Sequence, residues 1–242
     1  MSGCYRSAAR AWTVALLSLA WCVVPACAQE SQAAPVEMTG HVDLPKGQSA
    51  LHRPGVVVWL SAVDPTEDVP AAQPGRYTLA QKRKMFSPHL LVIPVGSTVS
   101  FPNDDPFFHN VFSLFNGKRF DLGLYEAGSS RQVVFSREGV SYIFCDIHPE
   151  MSAVVLSLST PLYAVADASE RFIVRAVPAG EYGLHVWIEG MPQPDLDRLT
   201  RRVRVRAGMA SVVVDASNVQ YSADGHLNKF GKPYDRETRP AY

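Results

Sequence analysis

Phe144-Cys145-Asp146-Ile147-His148-Pro149-Glu150-Met151 places a thiol, an imidazole and a thioether on one short segment, and Phe108-His109-Asn110-Val111 supplies a second imidazole upstream. Two imidazoles, one thiolate and a weak axial thioether are the donor set of a mononuclear copper electron-transfer site. His109, Cys145, His148 and Met151 are therefore the candidate metal ligands. Zinc competes for Cys and His, but its structural sites use two or more cysteines or a Cys/His mixture without methionine. The set favours copper.

Around these segments the chain reads as strand. Short runs rich in Val, Ile, Leu, Phe and Tyr recur between Pro, Gly, Asn and Asp, and no helical period stands out. The clearest runs are 56–63, 90–94, 98–101, 132–135, 140–145 and 153–158, with further strands expected at 171–174, 182–188, 202–206 and 211–215. Many short strands with regular turn signals imply an all-β fold of the sandwich type.

The N-terminus reads as a secretory signal over residues 1–28. Arg6 and Arg10 precede an apolar stretch, and Ala26-Cys27-Ala28 forms a small-residue cleavage site, so the mature chain is expected to begin near Gln29. Val24-Pro25-Ala26-Cys27 approaches a lipoprotein box, but its proline argues against a tether at Cys27. No later segment is apolar over a bilayer's thickness, so the expected location is periplasmic or secreted.

Cleavage removes Cys4, Cys22 and Cys27, leaving Cys145 alone of four cysteines. A single thiol makes no internal disulfide. The alternative to a ligand role is an inert buried thiol. The full chain carries 23 basic and 23 acidic residues. Two basic residues leave with the signal, so 21 face 23 and the mature balance is −2. That balance argues against a nucleic-acid footprint.

The block 77–159 resembles the cupredoxin family, which includes plastocyanin, pseudoazurin and amicyanin. Phe86-Ser87-Pro88 followed by Leu91-Val92-Ile93-Pro94-Val95-Gly96-Ser97-Thr98-Val99-Ser100-Phe101-Pro102-Asn103 looks like the family's opening hairpin. His109-Asn110 matches its first copper ligand and the following asparagine, and Cys145, His148 and Met151 match the rest. The Cys-His and His-Met spacings resemble amicyanin. Ile143 departs from the pattern, which has an aromatic there. The resemblance implies a Greek-key β-sandwich, one type 1 copper, and a structural role for Asn110 in holding the cysteine loop. It also implies that the second histidine's ring edge reaches the surface inside an apolar patch, lined here by Pro88, Phe107, Phe108 and Pro149, where a redox partner docks. One of the two phenylalanines is equally an ordinary packing residue. Pro149 stiffens the loop past His148.

The flanks carry a second resemblance. Thr39-Gly40-His41-Val42 through Val56-Val57-Val58-Trp59-Leu60, then Asp167, Phe172 and Pro178-Ala179-Gly180-Glu181-Tyr182-Gly183-Leu184, look like the two halves of a carboxypeptidase-regulatory-like, transthyretin-type β-sandwich. Neither half covers its own faces or edges. The expectation is a cupredoxin (77–159) inserted into, or packed beside, a second Ig/transthyretin-like sandwich (35–64 plus 161–217). Residues 64–75 form a linker and 218–242 a polar tail. A single extended cupredoxin with extra strands at each end is the alternative.

Other histidines and charges are less pointed. His89 reads as a surface or sheet-packing residue, and His41, His52, His185 and His226 lack paired donors. Arg202, Arg204 and Arg206, like Lys82, Arg83 and Lys84, are solvated faces or steer an acidic partner.

Three strong ligands leave no open position for a substrate, and no His-x-His stretch encodes a coupled copper centre. The expected role is therefore not an enzyme but an exported carrier of single electrons. Its partner would be a c-type cytochrome or a periplasmic dehydrogenase, with amine oxidation implied by the amicyanin-like spacing. The alternatives are a copper-handling protein, which a Met-rich or His-rich tract would favour, and a structural or carbohydrate-binding module with Trp59 and Trp187 as candidates.

Overall fold

The computed structural model describes residues 34–45, 55–64, 69–114 and 117–219. The signal peptide with Cys27, residues 65–68 of the linker, His52, His226 and the polar tail beyond Val219 lie outside the described residues.

The described chain opens with β1 (Val36–Asp43) and β2 (Val56–Ala62). Then come β3 (Arg76–Thr78), β4 (Ala80–Lys82), β5 (Met85–Ser87), β6 (Leu90–Pro94), β7 (Thr98–Pro102), β8 (His109–Ser113), β9 (Phe120–Tyr125), β10 (Ser130–Val134), β11 (Gly139–Phe144) and β12 (Ser152–Leu158). The remainder is β13 (Tyr163–Val165), β14 (Arg171–Val177), β15 (Gly180–Ile188), helix α1 (Gln193–Leu199), β16 (Arg201–Val205) and β17 (Val212–Asp215). The fold is an all-β sandwich. Helix α1 has no sequence period to announce it; Pro194 and Asp195 in its first turn and a buried Leu196 hold it in place.

Two sheets of the inner block, β6-β12-β11-β8-β9 and β10-β7-β3, enclose a core that includes Ile93, Val99, Phe101, Val111, Phe135, Ile143 and Val155. The strands on either side of the block pair with one another, as β13-β2-β15-β16 and β14-β1-β17. Their shared core contains Met38, Val58, Leu60, Phe172, Val174, Leu184 and Val214.

β12 explains how the layers stack. Successive strand residues face opposite sides, yet residues 153–158 are all buried. Ala153 and Val155 enter the inner block's core, while Val154, Leu156 and Leu158 enter the flanking core beside Val57 and Trp187. An apolar run without alternation is the mark of a strand covered on both faces. Burying each such side chain is worth on the order of 1.5–3 kcal/mol. The flanking sheets thus form part of the inner block's own packing, and Tyr142 meets Trp187 across the seam at 6.5 Å between ring centroids.

One expectation is corrected. The supposed opening hairpin is not a hairpin, because β6 pairs in parallel with β12 whereas β7 pairs with β10 and β3. Gly96, at φ 86°, lets the chain turn the corner between sheets. The local hairpin here is β4–β5 instead. Run 90–94 coincides with β6, and the other expected runs lie within three residues of their strands at each end. β8 and β9 carried no strand reading, since β8 is buried throughout and contains His109, Asn110 and Ser113, which break the alternation.

Candidate metal centre

Strand pairing brings the donors together. Phe144 at the end of β11 pairs with Phe112 of β8, which sets the residue after β11, Cys145, near the start of β8, where His109 sits. Phe144 also pairs with Ser152 at the start of β12. The intervening loop must therefore close on itself. Cys145 N donates to Met151 O at 3.3 Å, and Met151 N to His148 O at 3.0 Å.

In the closed loop Cys145 Sγ lies 3.7 Å from His109 Nδ1 and 3.5 Å from His148 Nδ1. The three donor atoms all fall within 4.8 Å of one another. His109, Cys145 and Met151 are fully buried, and His148 is 4% exposed.

The fourth participant is one that the sequence did not single out. Asp105 Oδ2 accepts from His109 Nε2 at 2.9 Å and from Lys84 N at 2.9 Å, while Oδ1 accepts from Arg83 N at 2.6 Å. Arg83 and Lys84 both adopt φ of 56° in the β4–β5 turn, which aims consecutive amides at one carboxylate. The carboxylate fixes His109 as the tautomer with its proton on Nε2 and its Nδ1 lone pair facing Cys145. Burial opposes ionisation of Asp105, but the Lys84 amide, His109 and the Arg83 amide outweigh it and hold the carboxyl below its usual range.

The other groups are poised in the same sense. Burial, only partly offset by Asp105, lowers the His109 pKa. Burial, with the neighbouring charge on His109, lowers that of His148 to about 4. Both rings are neutral near pH 7, as ligands must be. Burial raises the Cys145 thiol, against amide hydrogen bonds from Asn110, Ile147 and His148. A cation at this point would favour the thiolate.

The residues fit a small first-row metal ion. Bonds of about 2.3 Å to thiolate and about 2.0 Å to imidazole, the lengths zinc takes with these donors, separate S and N by about 3.5 Å at tetrahedral angles and about 3.7 Å at trigonal ones. The two observed S–N separations, 3.5 and 3.7 Å, span that interval. One soft thiolate and two imidazoles suit copper in either of its oxidation states. A bound copper ion would supply one-electron exchange; the chain supplies a buried pocket with the donors already gathered.

Two sheets enclose one core, and the donors gather at one end of it, at the starts and ends of β8, β11 and β12, as the resemblance implied.

The inner block is cupredoxin-like.

No protein-family model matches the chain, and no curated protein is significantly similar to it. Among solved structures it is similar to a purple cupredoxin from Nitrosopumilus maritimus, at 31% identity over 34% of this chain and 99% of that one, with a TM-score of 0.31. It is also similar to a copper-containing nitrite reductase from Thermus scotoductus, at 25% identity over 49% of this chain and 28% of that one, with a TM-score of 0.34. An oxidized amicyanin variant shares 18% identity over 34% of this chain and 81% of that one, with a TM-score of 0.32.

Within the cupredoxin-like block the remaining expected residues fall as follows. Asn110 reaches the cysteine through its backbone amide, which meets Cys145, while its side-chain Nδ2 donates to Asp121 Oδ1 at 2.7 Å. Phe107 is half-buried and packs against both rings, with centroids 5.2 Å from His109 and 5.6 Å from His148. Lys84 Nζ stands 5.4 Å over the same Phe107 ring. Phe108, by contrast, is 53% exposed, and Pro88 and Pro149 are exposed as well. The resemblance implied a surface edge for the second histidine; here His148 Nε2 is buried and, among the described residues, has no hydrogen-bond partner. Ile143 is fully buried in the core beneath the site.

The other histidines lie elsewhere. His41 meets Asp43 at 3.4 Å, His185 meets Ser61 at 2.8 Å and stacks on Trp59, and His89 pairs with Glu189. Trp187 is buried. Arg202, Arg204 and Arg206 are exposed on or just past β16, a sheet edge, where charge discourages edge-to-edge pairing. Asp105 went unread because residues 104 and 105 are both aspartate, and nothing local says which one turns inward.

Proposed function

We propose that this chain is an exported blue-copper protein that carries single electrons, with one type 1 copper held by His109, Cys145 and His148 and an axial donor from Met151. The observation that carries the reading is the convergence of His109 Nδ1, Cys145 Sγ and His148 Nδ1 within 4.8 Å in a buried pocket. Three strong donors plus a buried methionine leave no place for water or substrate, which supports a carrier rather than an enzyme. Asp105 and the amides around Cys145 preorganise the donors.

The exposed Phe108, with Pro88 and Pro149, supports an apolar docking face of modest size, the kind used in weak redox encounters. The partner would be a c-type cytochrome or a periplasmic dehydrogenase. The amicyanin-like ligand spacing adds amine oxidation as the setting. A signal peptide ending near Ala28 supports export, and among the described residues no helix is long and apolar enough to cross a membrane. The flanking strands are assigned to a transthyretin-type sandwich, with domains at 35–64 plus 161–217 and at 77–159.

The test is visible absorption of residues 29–242 after one equivalent of Cu(II), beside a Cys145→Ser control. An intense thiolate-to-copper band that ascorbate bleaches and the variant lacks supports the carrier. A folded protein without that band sinks it and leaves copper handling or a structural module.

A further inference from the structure

One polar contact ties the flanking sheets to the strand that follows Met151. Glu189, just past β15, is locked to the start of β2. Gly55 N donates to Glu189 Oε2 at 2.9 Å, and Glu189 N donates to Gly55 O at 2.9 Å. The second carboxylate oxygen, Oε1, accepts from His89 Nε2 at 2.7 Å. His89, between β5 and β6, donates from Nδ1 to Ser152 O at 3.1 Å, and its own carbonyl accepts from Val154 N at 2.7 Å.

Both ring nitrogens of His89 face acceptors, an arrangement that favours the doubly protonated ring. The Glu189 hydrogen bond raises its pKa accordingly, against partial desolvation. Ser152 is the residue after Met151 and pairs with Phe144, the residue before Cys145. The contact therefore grips the ligand loop where both of its ends join the sheet.

We propose that Glu189 and His89 are positioning residues for the metal loop, a clasp through which the flanking sheets hold Ser152, and with it Met151, at a fixed distance from Cys145. The proposal rests on the blue-copper reading for its redox consequence but not for its structural one. An axial thioether donates weakly, so a small displacement changes how well the oxidised ion is stabilised relative to the reduced one. Neither residue touches the donor atoms. Their effect travels through one carbonyl and one strand end.

The experiment compares the full mature chain with Glu189→Ala, His89→Ala and the double variant. In copper-free protein, amide hydrogen exchange is followed across residues 145–153. In copper-loaded protein, the midpoint potential and the electron paramagnetic resonance spectrum are recorded. The clasp predicts faster exchange at the Cys145 and Met151 amides in both single variants, with β14–β17 unchanged. It also predicts upward potential shifts in both, as the axial donor loosens, and no larger shift in the double variant.

A merely electrostatic influence moves the two potentials in opposite directions, because one variant removes a negative charge and the other a positive one. That result, or unchanged exchange, overturns the proposal. If the wild type lacks the copper–thiolate band, the carrier reading fails and the exchange data still decide the clasp. If the band is present and the exchange unmoved, the clasp alone falls.

Discussion

Replacing Asp105 by asparagine tests the site at its most constrained point. The carboxylate is 6% exposed and accepts three hydrogen bonds, from His109 Nε2, Lys84 N and Arg83 N. Asparagine offers one oxygen and one NH2. With its oxygen at the Oδ2 position it keeps His109 and Lys84 but points NH2 at the Arg83 amide; turned over, it confronts two donors instead of one. At least one charge-assisted bond is lost, worth about 1.5–3 kcal/mol. The bonds that survive fall to roughly half their strength as the charge disappears. The expected loss of stability is about 2–4 kcal/mol. His109 is then held by a neutral amide oxygen in place of the carboxylate that fixes its tautomer, which should cost about 10–100-fold in metal affinity. Urea denaturation of the copper-free protein reads the first quantity, and Cu(I) competition against a chromophoric chelator reads the second. A variant within about 0.5 kcal/mol of wild type and unchanged in affinity would refute the role given to Asp105.

Further outcomes follow from other positions. A Cβ at Gly40 would lie 2.3 Å from Phe172 Cζ and 2.4 Å from the Val212 carbonyl oxygen, and β17 backbone cannot yield as a side chain can. Gly40→Ala should therefore cost about 1–3 kcal/mol, read as a fall in Tm. The His89–Glu189 pair gives a pH dependence with a defined sign. His89 is raised above 6.5, so its contribution is complete below that value and fades as pH climbs through the folded-state pKa. Glu189 is lowered from 4.5, with burial opposed by the His89 and Gly55 hydrogen bonds, so its contribution is present above 4.5 and fades in acid as pH falls through the folded-state pKa. The stability gap between wild type and His89→Ala, about 1 kcal/mol or less for so exposed a pair, should be widest between these pH values and close on the alkaline side. A gap that widened with pH would contradict the pairing. Phe108→Ser should leave stability within about 0.5 kcal/mol and the copper band intact, while slowing electron exchange with a c-type cytochrome in stopped flow.

The donor atoms, the all-β class and most strand positions could be read directly, because each depends on residue chemistry or on a period of two that neighbours in sequence already display. Cys145, His148 and Met151 are close in the chain, and His109-Asn110 is recognisable by its own pattern. The run at 153–158 already contained the message that β12 is covered on both faces; which sheet covers the second face was not in it. Three features required the folded molecule. β6 and β7 part into different sheets, Asp105 rather than Asp104 turns in to hold His109, and Glu189 of the flanking strands meets His89 of the inner block. Each depends on partners distant in sequence meeting across a packed core. Local pattern records which residues prefer burial or metal, and only the packing of whole sheets decides which of them meet.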